Sequence, residues 1–185
     1  MNQKREKLEE QMAVWTKGDI CIAFSGGVDS SLLLYLAVRA AAKHGSKVYA
    51  VTFQTKLHPQ ADLAVAKAVA EDAKAEHVIL EVDEFEKEEI LKNPVNRCYL
   101  CKYYLFMKLL EFASEKRISV VLEGSNQDDL GVYRPGLQAV KELGILSPLA
   151  MFQITKKEVR EMAEDLGIPV SDRPSAPCLA TRLPY

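Results

Sequence analysis

The hydrophobic positions of this chain fall into two periods. Leu8, Met12 and Trp15 stand at i, i+4 and i+7 within a charged stretch, which predicts an amphipathic helix over residues 3–16. Ile20-Cys21-Ile22-Ala23-Phe24 is a short unbroken apolar run, the pattern of a strand covered on both faces. Leu32 to Ala42 is apolar almost all round, as a helix packed on a sheet would be. Val48 to Phe53 is rich in β-branched and aromatic residues and reads as a second strand. A helix follows over 60–75, with Ala61, Val65, Ala68 and Val69 on its inner face. His77 to Val82 reads as a third strand, 101–116 as a helix, and Ile118 to Leu122 as a fourth strand that ends in Glu123-Gly124. Thr155-Lys156-Lys157-Glu158 is a capping box, continued at helical spacing by Val159, Met162, Ala163 and Leu166 and closed by Gly167 and Pro169. Strands alternating with helices predict an α/β fold: a parallel twisted sheet with helices on both faces, in a single domain over 1–185.

Composition narrows this picture. The chain has 185 residues, 48% hydrophobic and 27% charged, enough for one sizeable core. Its formal net charge of −2 lacks the basic footprint of a nucleic-acid binder, so no nucleic-acid partner is expected. The charged start, Met1 to Glu10, has no apolar signal region, and no run is long enough to span a bilayer. The expectation is a cytoplasmic protein with no membrane partner. Four cysteines in such a chain point to thiol, metal or catalytic roles rather than a disulfide framework. The last residues, Leu183-Pro184-Tyr185, are loop-like, and no predicted element closes the chain.

The candidate chemistry begins where the first strand meets the first buried helix, at Ser25-Gly26-Gly27-Val28-Asp29-Ser30-Ser31. Two glycines let a backbone approach a ligand without Cβ clashes, the serines add hydroxyls, and the N–H groups of a helix start bind phosphate. No Gly-Lys-Ser/Thr follows, so this is not a Walker A loop. A carboxylate at Asp29 would repel phosphate unless it caps the helix or meets the phosphates through Mg2+. The latter is the favoured reading. A second segment, Glu123-Gly124-Ser125-Asn126-Gln127-Asp128-Asp129, leaves the fourth strand at the ligand-binding end of a parallel sheet. Gly124 permits a tight exit, and Asn126, Asp128 and Asp129 offer acceptors for ribose or Mg2+, if they are not simply a polar turn. Arg134 is either a partner for phosphate or carboxylate or a solvated residue before a Pro-started helix.

Cys98-Tyr99-Leu100-Cys101 is a CxxC, and Cys178 lies far downstream between Arg173 and Arg182, whose charge would favour a thiolate. Cys21 sits inside the first strand and reads as core. Cys98, Cys101 and Cys178 can therefore hold three irons of a [4Fe–4S] cluster, or else Cys178 is catalytic and forms a disulfide with the CxxC in turnover. His44, His58 and His77 show no ligand spacing and receive no role.

SGGVDSS after an apolar strand resembles the motif of the PP-loop ATP pyrophosphatase superfamily. That resemblance implies a Rossmann-like fold and ATP cleavage between the α- and β-phosphates, with the loop holding pyrophosphate. Together with EGSNQDDLGVYRPG and SAPCLATRLPY, in that order, the chain resembles the LarE family of ATP-dependent sulfur transferases, also called the pyridinium-3,5-bisthiocarboxylic acid mononucleotide synthases. In that family a carboxylate of a nucleotide-like acid is adenylated and then converted to a thiocarboxylate, during synthesis of a nickel-pincer cofactor. Members use either a sacrificial cysteine, matching Cys178, or a three-cysteine [4Fe–4S] cluster. The trio here favours the cluster, and Arg182 matches an arginine of the family's cysteine motif. The resemblance implies ATP, Mg2+ and a small carboxylic acid as ligands, and homo-oligomers among full-length relatives, which continue past the point where this chain ends. The alternatives are tRNA thiolation, ammonia-dependent amidation, or an ATP-binding module without turnover.

Overall fold

The computed structural model describes residues 3–174 together with 178 and 179. In chain order the elements begin with α1 (Gln3–Trp15), β1 (Ile20–Ala23), α2 (Val28–Ala41), β2 (Val48–Gln54), α3 (Gln60–Asp72) and β3 (Glu76–Glu81). They continue with α4 (Glu88–Leu91), α5 (Arg97–Glu115), β4 (Val120–Leu122), α6 (Gly136–Glu142), α7 (Pro148–Met151) and α8 (Lys156–Asp165). Short 3-10 turns occupy Glu84–Glu86 and Gln127–Gly131. The four strands form one parallel sheet in the order β3-β2-β1-β4. The most apolar run in the chain is thus central, with Ile20 opposite both Val48 and Val120.

Successive side chains of a strand point to opposite faces, and β1 divides the core accordingly. Ile20 and Ile22 join an apolar cluster with Leu8 and Met12 of α1, Leu32 and Leu36 of α2, Val69 of α3 and Val159 and Met162 of α8. Cys21, between them, faces the other cluster, with Leu105, Leu109 and Ala113 of α5 and Val140 of α6. Both faces are covered, as expected, and Cys21 is a fully buried core residue. Each such leucine or isoleucine contributes about 1.5–3 kcal/mol by leaving water. Among the described residues no helix is long and apolar enough to cross a membrane.

Several boundaries differ from the expectation. α2 begins at Val28 rather than Leu32, because the glycine loop turns directly into helix. β1 ends at Ala23, although Phe24 still donates its N–H to Val51 O at 2.8 Å. β3 runs from Glu76 to Glu81, one residue earlier than read, and β4 is only Val120–Leu122. The inner face of α3 is Ala66, Val69, Ala70 and Ala73, while Ala61 and Ala68 are exposed. In a helix this rich in alanine and valine, periodicity alone could not choose the stripe that tertiary packing selects. The capping box is present: Thr155 Oγ1 accepts from Glu158 N at 3.3 Å, and Glu158 Oε2 accepts from Thr155 N at 2.8 Å.

Candidate active site

The loop between β1 and α2 is built by its own backbone and by α3. Gly26 has φ +73°, and a Cβ there would lie 2.9 Å from both the N and Cα of Ala66. Only glycine allows that turn and that contact. Gly27, not Asp29, is the N-cap of α2, and no side chain caps it. Ser31 N donates the first helical bond, to Gly27 O at 3.0 Å, so the N–H groups of Val28, Asp29 and Ser30 precede the ladder. Ser30 Oγ donates to Gly27 O at 3.2 Å, and Gly27 N donates to Ser25 Oγ at 3.3 Å, which holds the loop open around its N–H groups.

Gly124 brings the exit of β4 against this helix start. A Cβ there would be 3.0 Å from Ser30 N. Asn126, two residues on, donates to Asp29 Oδ1 at 3.0 Å, and Lys156 of α8 pairs with Asp29 Oδ2. Asp29 therefore holds two protein partners and does not cap the helix. Asn126 Oδ1 accepts from Asp128 N at 2.9 Å, Asp129 Oδ2 from Asn126 N at 3.0 Å, and Asp128 Oδ2 from Lys156 N at 2.8 Å. The acidic segment thus braces the loop. Lys156 had no sequence signal for this place beyond its capping box. Three-dimensional proximity across 127 residues supplies the cation that the loop itself lacks.

These elements border a cavity of about 1120 Å3 at the carboxyl ends of the strands. Ser25, Gly27, Asp29, Ser30 and Gly124 line it; Gly26, Ser31, Asn126 and Asp128 do not. Ser31 is instead fully buried, and its Oγ has no hydrogen-bond partner among the described residues. All three candidate thiols, Cys98, Cys101 and Cys178, line the same cavity. Cys98 and Cys101 come from the first turns of α5, beside Lys102, which pairs at 3.2 Å with the buried Glu123. Desolvation, with smaller contributions from Glu84 and the other two thiols, pushes the Cys101 thiol up to about 12, so it is protonated at neutral pH. Among the described residues no three His, Cys, Asp or Glu side chains are gathered as a metal site. The trio fits a three-thiolate cluster in kind and number, and the thiols would have to draw together to hold one.

The described residues on either side of Cys178 are tied to neighbouring elements. Arg173 pairs with Asp62 of α3 at 2.6 Å, Arg160 of α8 donates to Ser171 O and Arg173 O at 2.5 and 3.1 Å, and Leu179 N donates to Leu57 O at 2.8 Å. Arg173 is thus engaged by a carboxylate, and Arg182 lies outside the described residues. Arg134 lines the cavity, largely exposed, and pairs with Asp129 at 3.0 Å. His58, passed over in the sequence because a residue before proline signals only a turn, also lines the cavity. Its Nδ1 is 2.7 Å from Thr55 Oγ1. Desolvation lowers its pKa against the opposing pull of Glu84 and Asp62. Nearby, Glu84 is fully buried; Oε2 accepts from Lys56 N at 3.3 Å, and among the described residues Oε1 has no hydrogen-bond partner.

Comparison with known proteins agrees with this fold. The PP-loop domain family matches residues 1–133. The chain is 41% identical over 164 residues to an uncharacterized protein of Synechocystis sp., covering 89% of this chain and 60% of that one. It is 29% identical over 166 residues to pyridinium-3,5-bisthiocarboxylic acid mononucleotide synthase of Lactiplantibacillus plantarum, covering 90% and 59%. The chain spans about 60% of the length of the curated relatives it matches. In fold it is similar to NMN synthetase from Francisella tularensis, with TM-score 0.70, 18% identity and coverage of 97% and 77%. It is also similar to the U34-tRNA thiolase NcsA from Methanococcus maripaludis with its [4Fe-4S] cluster, with TM-score 0.67, 17% identity and coverage of 96% and 71%.

Proposed function

The chain belongs to the PP-loop family, and from that premise we propose that it is an ATP-dependent sulfur transferase, which adenylates a carboxylate of a small nucleotide-like acid and replaces the adenylate by sulfur. One observation carries this reading: the phosphate loop and the three cysteines border a single cavity. An amidating enzyme with the same loop would have no use for that trio. The 29% identity to a bisthiocarboxylic acid mononucleotide synthase supports the choice of acid, and the net charge of −2 favours a small acid over tRNA.

The N–H groups ahead of Ser31, with Ser25 and Ser30, would grip the β- and γ-phosphates and stabilise the charge that grows on pyrophosphate as it leaves. Asp29 is the residue that would hold Mg2+, whose charge offsets that of the phosphates. Lys156 and Asn126 orient its carboxylate. Cys98, Cys101 and Cys178 would hold a [4Fe–4S] cluster, which supplies an open iron for sulfide. The protein would then orient the activated acyl carbon toward the thiol wall and exclude competing water.

The test is anaerobic purification with iron and sulfide, visible spectroscopy, and assay of AMP and pyrophosphate with pyridinium-3,5-biscarboxylic acid mononucleotide. The expected outcome is a cluster absorbance that Cys98→Ala removes, and pyrophosphate release that survives the substitution. A parent protein without absorbance, with Cys178 lighter by hydrogen sulfide after turnover, would replace the cluster with a sacrificial cysteine. Absence of acid-dependent pyrophosphate release would end the reading.

A further inference from the structure

We propose that His58 is the general base of the sulfur-transfer step, accepting the S–H proton of the incoming sulfur nucleophile as the thiocarboxylate forms. This rests on the function proposed above. The geometry is specific to this position. His58 opens into the cavity that holds all three thiols, whereas His77 packs edge-on against Phe24 with its Nε2 2.9 Å from Thr52 Oγ1, and His44 sits beyond α2 outside the cavity wall. The bond from Leu179 N to Leu57 O, 2.8 Å long, joins the neighbours of Cys178 and His58, so the thiol and the imidazole each stand one residue from the same cross-link.

Thr55 Oγ1 occupies Nδ1 at 2.7 Å and so fixes the ring, which leaves Nε2 for proton transfer. The charged groups around the ring are Glu84, which is fully buried and has an Oε1 unpartnered among the described residues, and Asp62, which is already paired with Arg173; Lys56 is paired with Asp83. Both carboxylates can stabilise the imidazolium once formed. His58 is solvent-exposed on the cavity wall, and a pKa lowered from its ordinary value leaves the resting ring neutral and able to accept a proton.

The step balances without a redox partner. The sulfur of hydrosulfide, HS−, attacks the acyl carbon and a C–S bond forms. The bond from that carbon to the adenylate oxygen breaks, with its electron pair leaving on AMP. The S–H proton passes to His58 Nε2. The ring later returns the proton to solvent.

The test uses His58→Ala and His58→Gln with Mg-ATP, pyridinium-3,5-biscarboxylic acid mononucleotide and sodium sulfide. Hydroxylamine serves as an independent trap for the acyl adenylate. In both variants single-turnover pyrophosphate release, and hydroxamate yield with hydroxylamine present, are expected to stay at the parent level. Thiocarboxylate formation should fall about 100-fold, and added imidazole should restore it in His58→Ala while leaving the parent unchanged. If both variants form thiocarboxylate at the parent rate, or if imidazole restores nothing, the assignment of His58 is overturned. If the parent protein releases no pyrophosphate and yields no hydroxamate, it is the adenylation reading that fails.

Discussion

The two walls of the cavity are held in different ways. The phosphate wall of the proposed function rests mainly on close backbone packing, with Gly26 seated on Ala66 and Gly124 pressed on Ser30, and adds the side chains of Asn126 and Lys156 that hold Asp29. The sulfur wall of the proposed function joins the start of α5 to the described residues on either side of Cys178, which are held by side chains, through Arg173 to Asp62 and Arg160 to two carbonyls, and by one backbone bond from Leu179 to Leu57. The difference suits the two tasks. Binding a polyanion rewards donors fixed in advance. Delivery of sulfur, under the function proposed above, would require thiols that change partners.

The contrast is most sharply broken at Gly26. Gly26→Val adds side-chain atoms against Ala66 backbone at a positive φ, and should weaken ATP binding by about 100-fold or more, near 3 kcal/mol, in calorimetry. Gly45→Ala is the control: its φ is also positive, at +68°, but nothing lies within 4 Å of the added Cβ, so nucleotide affinity should not change. Asp29→Ala comes next. Pyrophosphate release should fall about 100-fold while the fold persists, because α2 and α8 retain their shared apolar cluster.

Arg173→Ala tests the other wall. Its ion pair is partly exposed, so stability should drop by only about 0–1 kcal/mol. Thiocarboxylate formation should fall several-fold, about the effect of a modest misplacement, with adenylation intact. Equal losses in both half-reactions would show that the walls do not act separately. The smallest effect concerns α8, which carries Lys156 to the phosphate wall. Thr155→Ala removes its cap and should cost about 1 kcal/mol in urea unfolding. Lys4, first, and then the Thr155 backbone hold the Glu158 carboxyl down at about 2 against its ordinary 4.5. A group whose folded pKa is depressed stabilises the protein above its unfolded pKa. The difference between parent and Lys4→Ala should therefore be complete above pH 4.5 and disappear as pH falls toward 2.

The legible parts share a property: their signals are local. The apolar run before SGGVDSS, the glycines of that loop and the Thr155–Glu158 box each act over a few residues, and each appears where it was read. α3 was misjudged because its apolar positions admit more than one stripe, and packing against the sheet and the loop at Gly26 selects Ala66, Val69 and Ala70. The cysteine trio was legible as residue types, and its convergence on one cavity required folding.

Sequence alone settled that a strand would turn through glycines into a helix with free N–H groups at its start, because backbone conformation depends on near neighbours. It could not reveal that Lys156 would meet Asp29, that Arg173 would be engaged by Asp62, or that His58 would share a cavity with Cys178. Those contacts join residues brought together only when a parallel sheet stacks its strand ends side by side, and no short-range pattern encodes them.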